Sequence, residues 1–450
     1  MSLAGDPPLG EETRATPRTV EDVTCLACGC SCDDLAVTIE HERVTEVHSA
    51  CPIGRDWFQA RGGDGPTRPA SVEGQPVETG EAIGRAVAIL SAARAPVVWG
   101  LTRTTTETVR AALEMADALG ARVMPDRSEL DLGRVAAFQD QGRVTATLGE
   151  VKNRADLVIF WGVDPLTTHP RHWERYSVEP RGRFVPKGRA GRTVVVVDRE
   201  ITLSATQADE FVYVPAHRQV EALAALRMLL RERRPDPKPG TPSEGPDLSD
   251  LEGLLALMKK ARYGALFFQA AKESGGRAGM GWWEASRLVR DLNEVTRFVI
   301  LGMGAEGNPA GAEAALVWQA GYLQGVDYRG GRPSPLDDLT TIDEFLRGGE
   351  ADAFLAVADG FPGGLSDGAR AHLGAIPTVL IGPGATERTG QTPTVALATS
   401  TAGFDAPGTV VRSDGVVLPL RPVRPARLPD DRELIVRITE GVRTRGARPS

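Results

Sequence analysis

Whatever soft-ligand chemistry this chain has rests on five cysteines, all within its first 51 residues. The stretch "CLACGCSCDD" holds Cys25, Cys28, Cys30 and Cys32, and "ACPIGRDWF" adds Cys51. Cys25, Cys28 and Cys32 read C-x2-C-x3-C. Two thiolates three apart on a tight loop can grip one metal or one cluster edge. A third closes a face, and a distant fourth completes a tetrahedral set. Gly29 gives such a loop its backbone freedom, and Cys30 lies out of phase with the set. Structural zinc and an iron–sulfur cluster both suit four thiolates, and spacing does not separate them. Metal-free buried cysteines are the third reading, and the concentration of thiols in one short stretch speaks against it.

A second group follows the apolar run "LVIFWGVDP". The segment "HPRHWERYSVEPRGRF" carries His169, Arg171, His172, Arg175, Arg181 and Arg183. Guanidinium forks at a strand's carboxyl end can hold pyrophosphate or line a pocket; the plainer reading is a solvated basic loop or a subunit contact. His169 and His172 are candidate acid–base groups, although a lone histidine is more often structural. Asp164 and Asp198 each follow an apolar run, where an acid can accept from sugar or base donors or can simply cap a turn. Gly302, Gly304 and Gly307 in "GMGAEGN" look like a phosphate loop but lack the rest of a dinucleotide fingerprint, and they also suit a tight strand exit. Trp282, Trp283, Trp318, Tyr322 and Tyr328 read as core first and subunit interface second. No Ser/His/Asp nucleophile motif, Walker loop or zinc-protease helix is present.

These residues need a scaffold, and the sequence repeats one. Short β-branched runs ("APVVWG", "ADLVIFW", "RTVVVVD", "YGALFF", "RFVILG", "ADAFLAV", "IPTVLIG") alternate with helical spacing, as in "EAIGRAVAILSAA". Such runs indicate parallel strands buried on both faces, hence a multi-lobed, doubly wound α/β fold with ligands beyond the strands' carboxyl ends. The expected organisation is a disordered leader over 1–20 and a small cysteine domain over 21–75. An α/β lobe covers 76–230, a Pro- and charge-rich linker 231–250, a second α/β lobe 251–400 and a closing segment 401–450. With 450 residues, 41% hydrophobic and 25% charged, the composition is that of a globular protein. A net charge of −8 argues against a nucleic-acid surface. No apolar run reaches membrane-span length, and the N-terminus lacks signal-peptide character, so a cytoplasmic, thiol-reducing setting is expected.

Together these features resemble the B subunit of formylmethanofuran dehydrogenase, within the molybdopterin oxidoreductases. The resemblance runs from about residue 20 almost to the end. It is carried by "CLACGCSCDDLAV" with "ACPIGRDWF", "GLTRTTTETVRAALEMADALGA", "THPRHWERYSVEPRGRF" with "RTVVVVDRE", "VWQAGYLQGVDYRGG" and "GTVVRSDGVV". It implies that Cys25, Cys28, Cys32 and Cys51 hold a [4Fe–4S] cluster. It also implies that Asp164, Arg175, Asp198, Gly302 and Gly304 lie along a molybdopterin guanine dinucleotide, with His169, Arg171 and His172 in the pocket.

One departure counts more than any match. Catalytic members bind molybdenum or tungsten through a cysteine or selenocysteine in the turn after the first strand of the cofactor lobe. Here that turn is "GLTRTTTETV", Thr106 stands at the ligand position, and no cysteine follows Cys51. A neutral hydroxyl is a poor substitute for a thiolate. The B subunit of the bacterial formyltransferase/hydrolase complex shows the same loss. That complex passes a formyl group from a tetrahydropterin to a methanofuran-like carrier and hydrolyses it to formate. The resemblance therefore implies a subunit in tetrahydromethanopterin-linked one-carbon metabolism without its own metal turnover. Its partners would be amidohydrolase-like, formyltransferase and glutamate-synthase-like subunits and a methanofuran-type carrier. The alternative is a catalytic dehydrogenase subunit interconverting formylmethanofuran with CO2 and methanofuran.

Overall fold

The computed structural model describes residues 17–63, 68–126, 132–234, 247–270, 280–336, 341–358, 360–387 and 390–446. Most of the expected leader and the middle of the expected linker lie outside the described residues. The described chain begins with an antiparallel sheet of β1 (Arg18–Val23), β2 (Leu35–Glu40) and β3 (Arg43–His48). Cys51 then leads into α1 (Pro52–Arg61), which starts on a proline whose missing N–H would have had no helical partner. The short β4 (Ala70–Val72) and β5 (Gln75–Pro76) precede α2 (Thr79–Ala92), β6 (Pro96–Gly100), α3 (Thr106–Leu119) and β7 (Arg122–Pro125). Next come β8 (Leu157–Trp161), β9 (Thr193–Asp198), β10 (Glu210–Tyr213), β11 (Gly264–Phe268) and β12 (Phe298–Leu301). The remaining strands are β13 (Val326–Asp327), β14 (Ser334–Pro335), β15 (Ala353–Val357), β16 (Thr378–Gly382), β17 (Val395–Ala398), β18 (Gly408–Val411) and β19 (Val417–Leu420).

Two sheets form the body. One has five parallel strands in the order β10-β9-β8-β11-β12. Every residue of β8 and β11 is buried, which is why these strands read as continuous apolar runs rather than alternating ones. The other sheet has a parallel centre, β7-β6-β15-β16-β17, with antiparallel β13 and β14 on one edge and β4 and β5 on the other. Strands from 76–230 and from 251–400 are shared between both sheets. Each sheet reverses its winding once, between β8 and β11 and between β6 and β15. A crevice opens beyond the strand ends at such points.

Local signals set the site-bearing helix. Thr105 caps α3 by accepting from Thr108 N at 3.1 Å, and Gly120 ends it at φ 62°. Between β6 and α3 the chain passes Gly100 at φ 98° and Leu101 at φ 71°. A buried leucine in the left-handed region is strained, and it persists because tight packing fixes this exit. The cysteine segment does not have a core of its own. Val23, Leu26, Phe58 and the thiols pack with Phe404, Val410, Leu418 and Leu420 around the β18–β19 hairpin. Thr24 Oγ1 also donates to Pro419 O at 2.8 Å. The N-terminal piece and the closing segment therefore form one module, joined by burial of apolar surface that neither could cover alone.

The closing helix Asp431–Gly446 packs on α2 and α3, placing Leu434, Ile435 and Ile438 beside Val87, Val109 and Leu113. Its first residue, Asp431, is buried and accepts from Thr104 Oγ1 at 2.7 Å and Thr399 Oγ1 at 2.6 Å. Burial pushes this carboxyl up to about 6. An unfolded aspartate ionises near 4, so between these values the folded chain holds a proton that the unfolded chain has lost. Stability from this group is therefore complete at low pH and declines as pH rises through about 6. Relative to Asp431→Asn, the wild type should lose about 2 kcal/mol between pH 4 and pH 7. Denaturant unfolding of both proteins at the two pH values measures this, and parallel pH profiles would refute it.

Candidate functional site

Residues 25–34 leave β1 and reach the carboxyl ends of both parallel sheets. Cys25 N donates to Cys32 O at 2.8 Å, closing the loop on itself, and Gly307 N donates to Leu26 O at 2.8 Å. Gly29 lies directly on the exit from β12. A Cβ there would sit 2.0 Å from Met303 O and 2.6 Å from Gly304 Cα, so the loop can seat only with glycine.

The four candidate ligands share one neighbourhood. Burial, and then Cys32, Cys28 and Cys51 around it, push the Cys25 thiol well up. Gly54, on the first turn of α1, leaves room beside two sulfurs: a Cβ would stand 3.2 Å from Cys25 Sγ and 3.9 Å from Cys51 Sγ. Cys30, which the sequence pattern left out of phase, is buried and hydrogen-bonds both Cys28 and Cys32. That bond, followed by Arg171 and Arg175, brings Cys32 down to about 7 against the cost of burial. The bond from Cys30 also lowers Cys28. Among the described residues, no three His, Cys, Asp or Glu side chains are arranged to hold a metal ion.

The basic segment reaches the same place from the other sheet. After β8 the chain makes two short turns and then a π-helical turn, Trp173–Ser177. Arg171 and Arg175 project from it onto Asp34 and Asp33. His169 and His172 are buried, and burial drives them down to about 4 and about 3, so both are neutral at neutral pH. Ser177 Oγ donates to His172 O and lies 3.0 Å from His172 Nδ1, which assigns the ring proton to Nδ1. His172 Nε2 is left as a buried acceptor with no partner among the described residues. A neutral imidazole of this kind carries no second ring proton to give at pH 7.

The other candidates divide. Asp164 holds the turn after β8, accepting from Ser204 N at 3.0 Å, from Ser204 Oγ, and from Thr167 Oγ1 at 2.6 Å. Asp198 accepts from Arg199 N at 2.7 Å, and burial raises its carboxyl. Both belong to strand exits of the five-stranded sheet. Gly304 and Gly307 serve close backbone approach. A Cβ on Gly304 would meet Gly29 Cα at 2.9 Å, and one on Gly307 would meet Thr102 O at 2.4 Å. Gly302 has ordinary clearance from Trp282.

Thr106, the first residue of α3, is buried in a hydrogen-bond knot that sequence reading missed. Asn308 Nδ2 donates to Thr104 O at 3.0 Å and to Thr106 Oγ1 at 3.2 Å, and Asn308 Oδ1 accepts from Val411 N at 2.9 Å. Asn308 is fully buried. Beside this knot, a cavity of about 270 Å³ opens at the ends of β6, β15 and β16, lined in part by Leu26, Trp57, Arg61, Arg103, Glu306 and Ala358. Arg61 Nη2 pairs with Glu306 Oε1 at 3.4 Å, and Arg61 Cζ lies 4.0 Å from the Trp57 ring centroid. A sequence clue to the missed acids was available: Asp33 and Asp34 follow Cys32 directly. Asn308 gave no such clue, because its partners come from segments about 200 and 100 residues away.

Two doubly wound sheets with a cysteine loop at the carboxyl ends of their strands make up the fold. The same fold is seen in a chain of the formyltransferase/hydrolase complex FhcABCD from Methylorubrum extorquens, solved with methylofuran. The match has a TM-score of 0.67 at 23% identity, over 84% of this chain and 100% of that one. Acetylene hydratase from Pelobacter acetylenicus matches at a TM-score of 0.64 and 11% identity, over 94% of this chain and 69% of that one. No family model matches the sequence. In sequence the chain is 34% identical over 428 residues to the B subunit of tungsten-containing formylmethanofuran dehydrogenase 2 from Methanocaldococcus jannaschii, covering 93% of this chain and 97% of that protein. It is 26% identical over 381 residues to the Fhc B subunit of M. extorquens, covering 84% and 97%. The chain belongs to the family of formylmethanofuran dehydrogenase B subunits.

Seating of the loop can be tested directly. Gly29→Ala should cost about 1–3 kcal/mol through forced displacement of backbone. It should also speed amide exchange in both 25–34 and 302–307. Unchanged stability and exchange would mean that the contact with Met303 and Gly304 does not hold the loop.

Proposed function

We propose that this chain is the B subunit of a formyltransferase/hydrolase-type complex acting on a methanofuran-type carrier, with no molybdenum or tungsten turnover of its own. The observation that carries this reading is Thr106. Where catalytic relatives present a soft thiolate, this chain has a buried hydroxyl already engaged by Asn308. Such a hydroxyl neither ionises readily nor matches a soft metal, so the residues do not fit that centre. The chain would act as a structural member that positions partner subunits. Large apolar side chains at Ile201, Leu203 and Tyr213 stand exposed at the ends of β9 and β10, on the kind of surface that a partner covers. Amidohydrolase-like, formyltransferase and glutamate-synthase-like subunits are the partners proposed, in a cytoplasmic complex.

The same reading gives Cys25, Cys28, Cys32 and Cys51 a [4Fe–4S] cluster. What supports it is that Cys32, Cys28 and Cys51 lie close enough to Cys25 to act on its ionisation, with Gly54 leaving space beside two of the sulfurs; zinc is the alternative occupant of the same four thiolates. When bound, such a cluster can carry one electron or brace the module formed with the β18–β19 hairpin. Asp164, Arg175, Asp198, Gly302 and Gly304 are then the remnant lining of a pterin dinucleotide crevice.

A catalytic dehydrogenase subunit is the second reading. Two observations favour it: the higher identity to the tungsten-containing relative and the retained thiols. The two readings part on metal content. Purified anaerobically with its partners, the chain should carry about four iron and four sulfide per protomer. It should carry no molybdenum or tungsten, and the complex should show formyl transfer and hydrolysis. Stoichiometric molybdenum or tungsten with dye-linked oxidation of the formyl carrier would overturn the reading.

A further inference from the structure

The ion pairs between the basic segment and the cysteine loop are better built than surface pairs usually are. Arg171 Nη1 donates to Asp34 Oδ1 at 2.6 Å and Nη2 to Asp34 Oδ2 at 2.8 Å, a bidentate fork. Its Nε remains on Glu174 Oε1 at 3.0 Å, so the guanidinium is also fixed from its own helix. Arg175 Nη2 donates to Asp33 Oδ1 at 2.8 Å, and its Nη1 lies 3.0 Å from Asp34 Oδ1 without hydrogen-bond alignment. The arginine side chains are only 13% and 23% exposed. The Asp34 and Asp33 carboxylates are 38% and 36% exposed, so each pair alone contributes little, but the bidentate fork and the shared Asp34 fix the geometry.

The placement matters as much as the pairing. Asp33 and Asp34 directly follow Cys32, the last residue of the C-x2-C-x3-C run. The arginines belong to the exit from β8, at the switch point of the five-stranded sheet, about 140 residues away in sequence. Gly29 and Leu26 tie the same loop to the exit from β12 and to Gly307. The loop is thus held by backbone contact at its middle and by two guanidinium groups at its end. Thiolates held by a bound cluster would concentrate negative charge at the end of this loop, and a fixed positive charge nearby lowers the cost of holding them.

We propose that Arg171 and Arg175 are positioning residues: they clamp the end of the cysteine loop onto the β8 exit and supply positive charge to a four-thiolate centre at Cys25, Cys28, Cys32 and Cys51. The charge half rests on the iron–sulfur reading, while the clamp half rests on the ion pairs alone. Removing a guanidinium loosens the loop and makes addition of an electron to the centre less favourable. Removing the Asp34 charge also loosens the loop, but it makes electron addition more favourable. A purely mechanical role would not reverse that sign.

The test uses the full chain with its native partners. Arg171→Gln, Arg175→Gln, their double variant, Asp34→Asn and Arg171→Lys are compared with wild type. Amide exchange over 25–34 is read in metal-stripped protein, and redox titration with electron paramagnetic resonance is read in iron-loaded protein. The double variant and Asp34→Asn should exchange on the order of tenfold faster over 25–34. The reduction potential should fall in the two Arg→Gln variants and rise in Asp34→Asn. Arg171→Lys, which keeps charge but loses the fork, should loosen the loop and leave the potential near wild type. It also serves if the double variant does not fold. Unchanged exchange in the double variant and in Arg171→Lys would overturn the clamp. A potential that moves the same way in Arg171→Gln and Asp34→Asn would overturn the charge role. If wild type binds no iron, the cluster reading and the charge role both fail, and the exchange data still decide the clamp.

Discussion

The backbone of Gly29 lies against Met303 and Gly304 with no space for a side chain, and that contact puts the cysteine loop between two parallel sheets. Several other features follow from it. Cys25, Cys30 and Cys32 are buried in a core shared with the β18–β19 hairpin, so the first and last parts of the chain meet around the loop. Gly304 must also be glycine, since its own Cβ would meet Gly29 Cα at 2.9 Å. Two glycines back to back cost conformational entropy on folding, and the buried apolar surface of the joint module offsets it.

Close approach of this kind brings charged groups under cover, and the structure pairs them. Arg412 forks onto Asp414 at 2.8 Å on both arms, and Asp414 also accepts from Leu148 N at 2.6 Å. The hairpin is thereby tied to the five-stranded sheet. On the same sheet's other face, Arg227 spans Glu284 at 2.8 Å and Asp291 at 2.9 Å. Unpaired, any of these charges would be expensive to bury, so each pair fixes the relative position of the elements that carry it. The Asn308 knot does with neutral hydrogen bonds what these pairs do with charge. It joins the β12 exit, the start of α3 and β18 at one buried residue. The start of α3 is thereby closed by protein contacts.

Much of this was legible from residue order. The runs "LVIFW" and "VVVV" announced parallel strands buried on both faces, because central strands have no polar face to alternate. The spacing of Cys25, Cys28, Cys32 and Cys51 announced a shared neighbourhood, since loop thiols that close in sequence can scarcely avoid one another. Thr106 stood out only against a resemblance, as composition gives no reason to question a threonine at a helix start. The glycines of Gly302–Gly307 suited either a phosphate loop or a tight strand exit, and Gly304 and Gly307 here give close backbone approach to the cysteine loop and the 102 turn.

The sequence by itself therefore determined the element types, the doubly wound class and the gathering of the thiols, because these depend on local periodicity and short spacings. Only the tertiary structure decided which residues meet at the site. Arg171 with Asp34, Asn308 with Thr106, and Gly29 with Met303 are contacts between distant segments. The two sheets likewise draw strands from both halves of the chain. Such pairings are set by how strands order within a sheet and by which loops then share its carboxyl edge. That order is chosen by the summed burial of whole layers, a quantity that no single stretch of sequence contains.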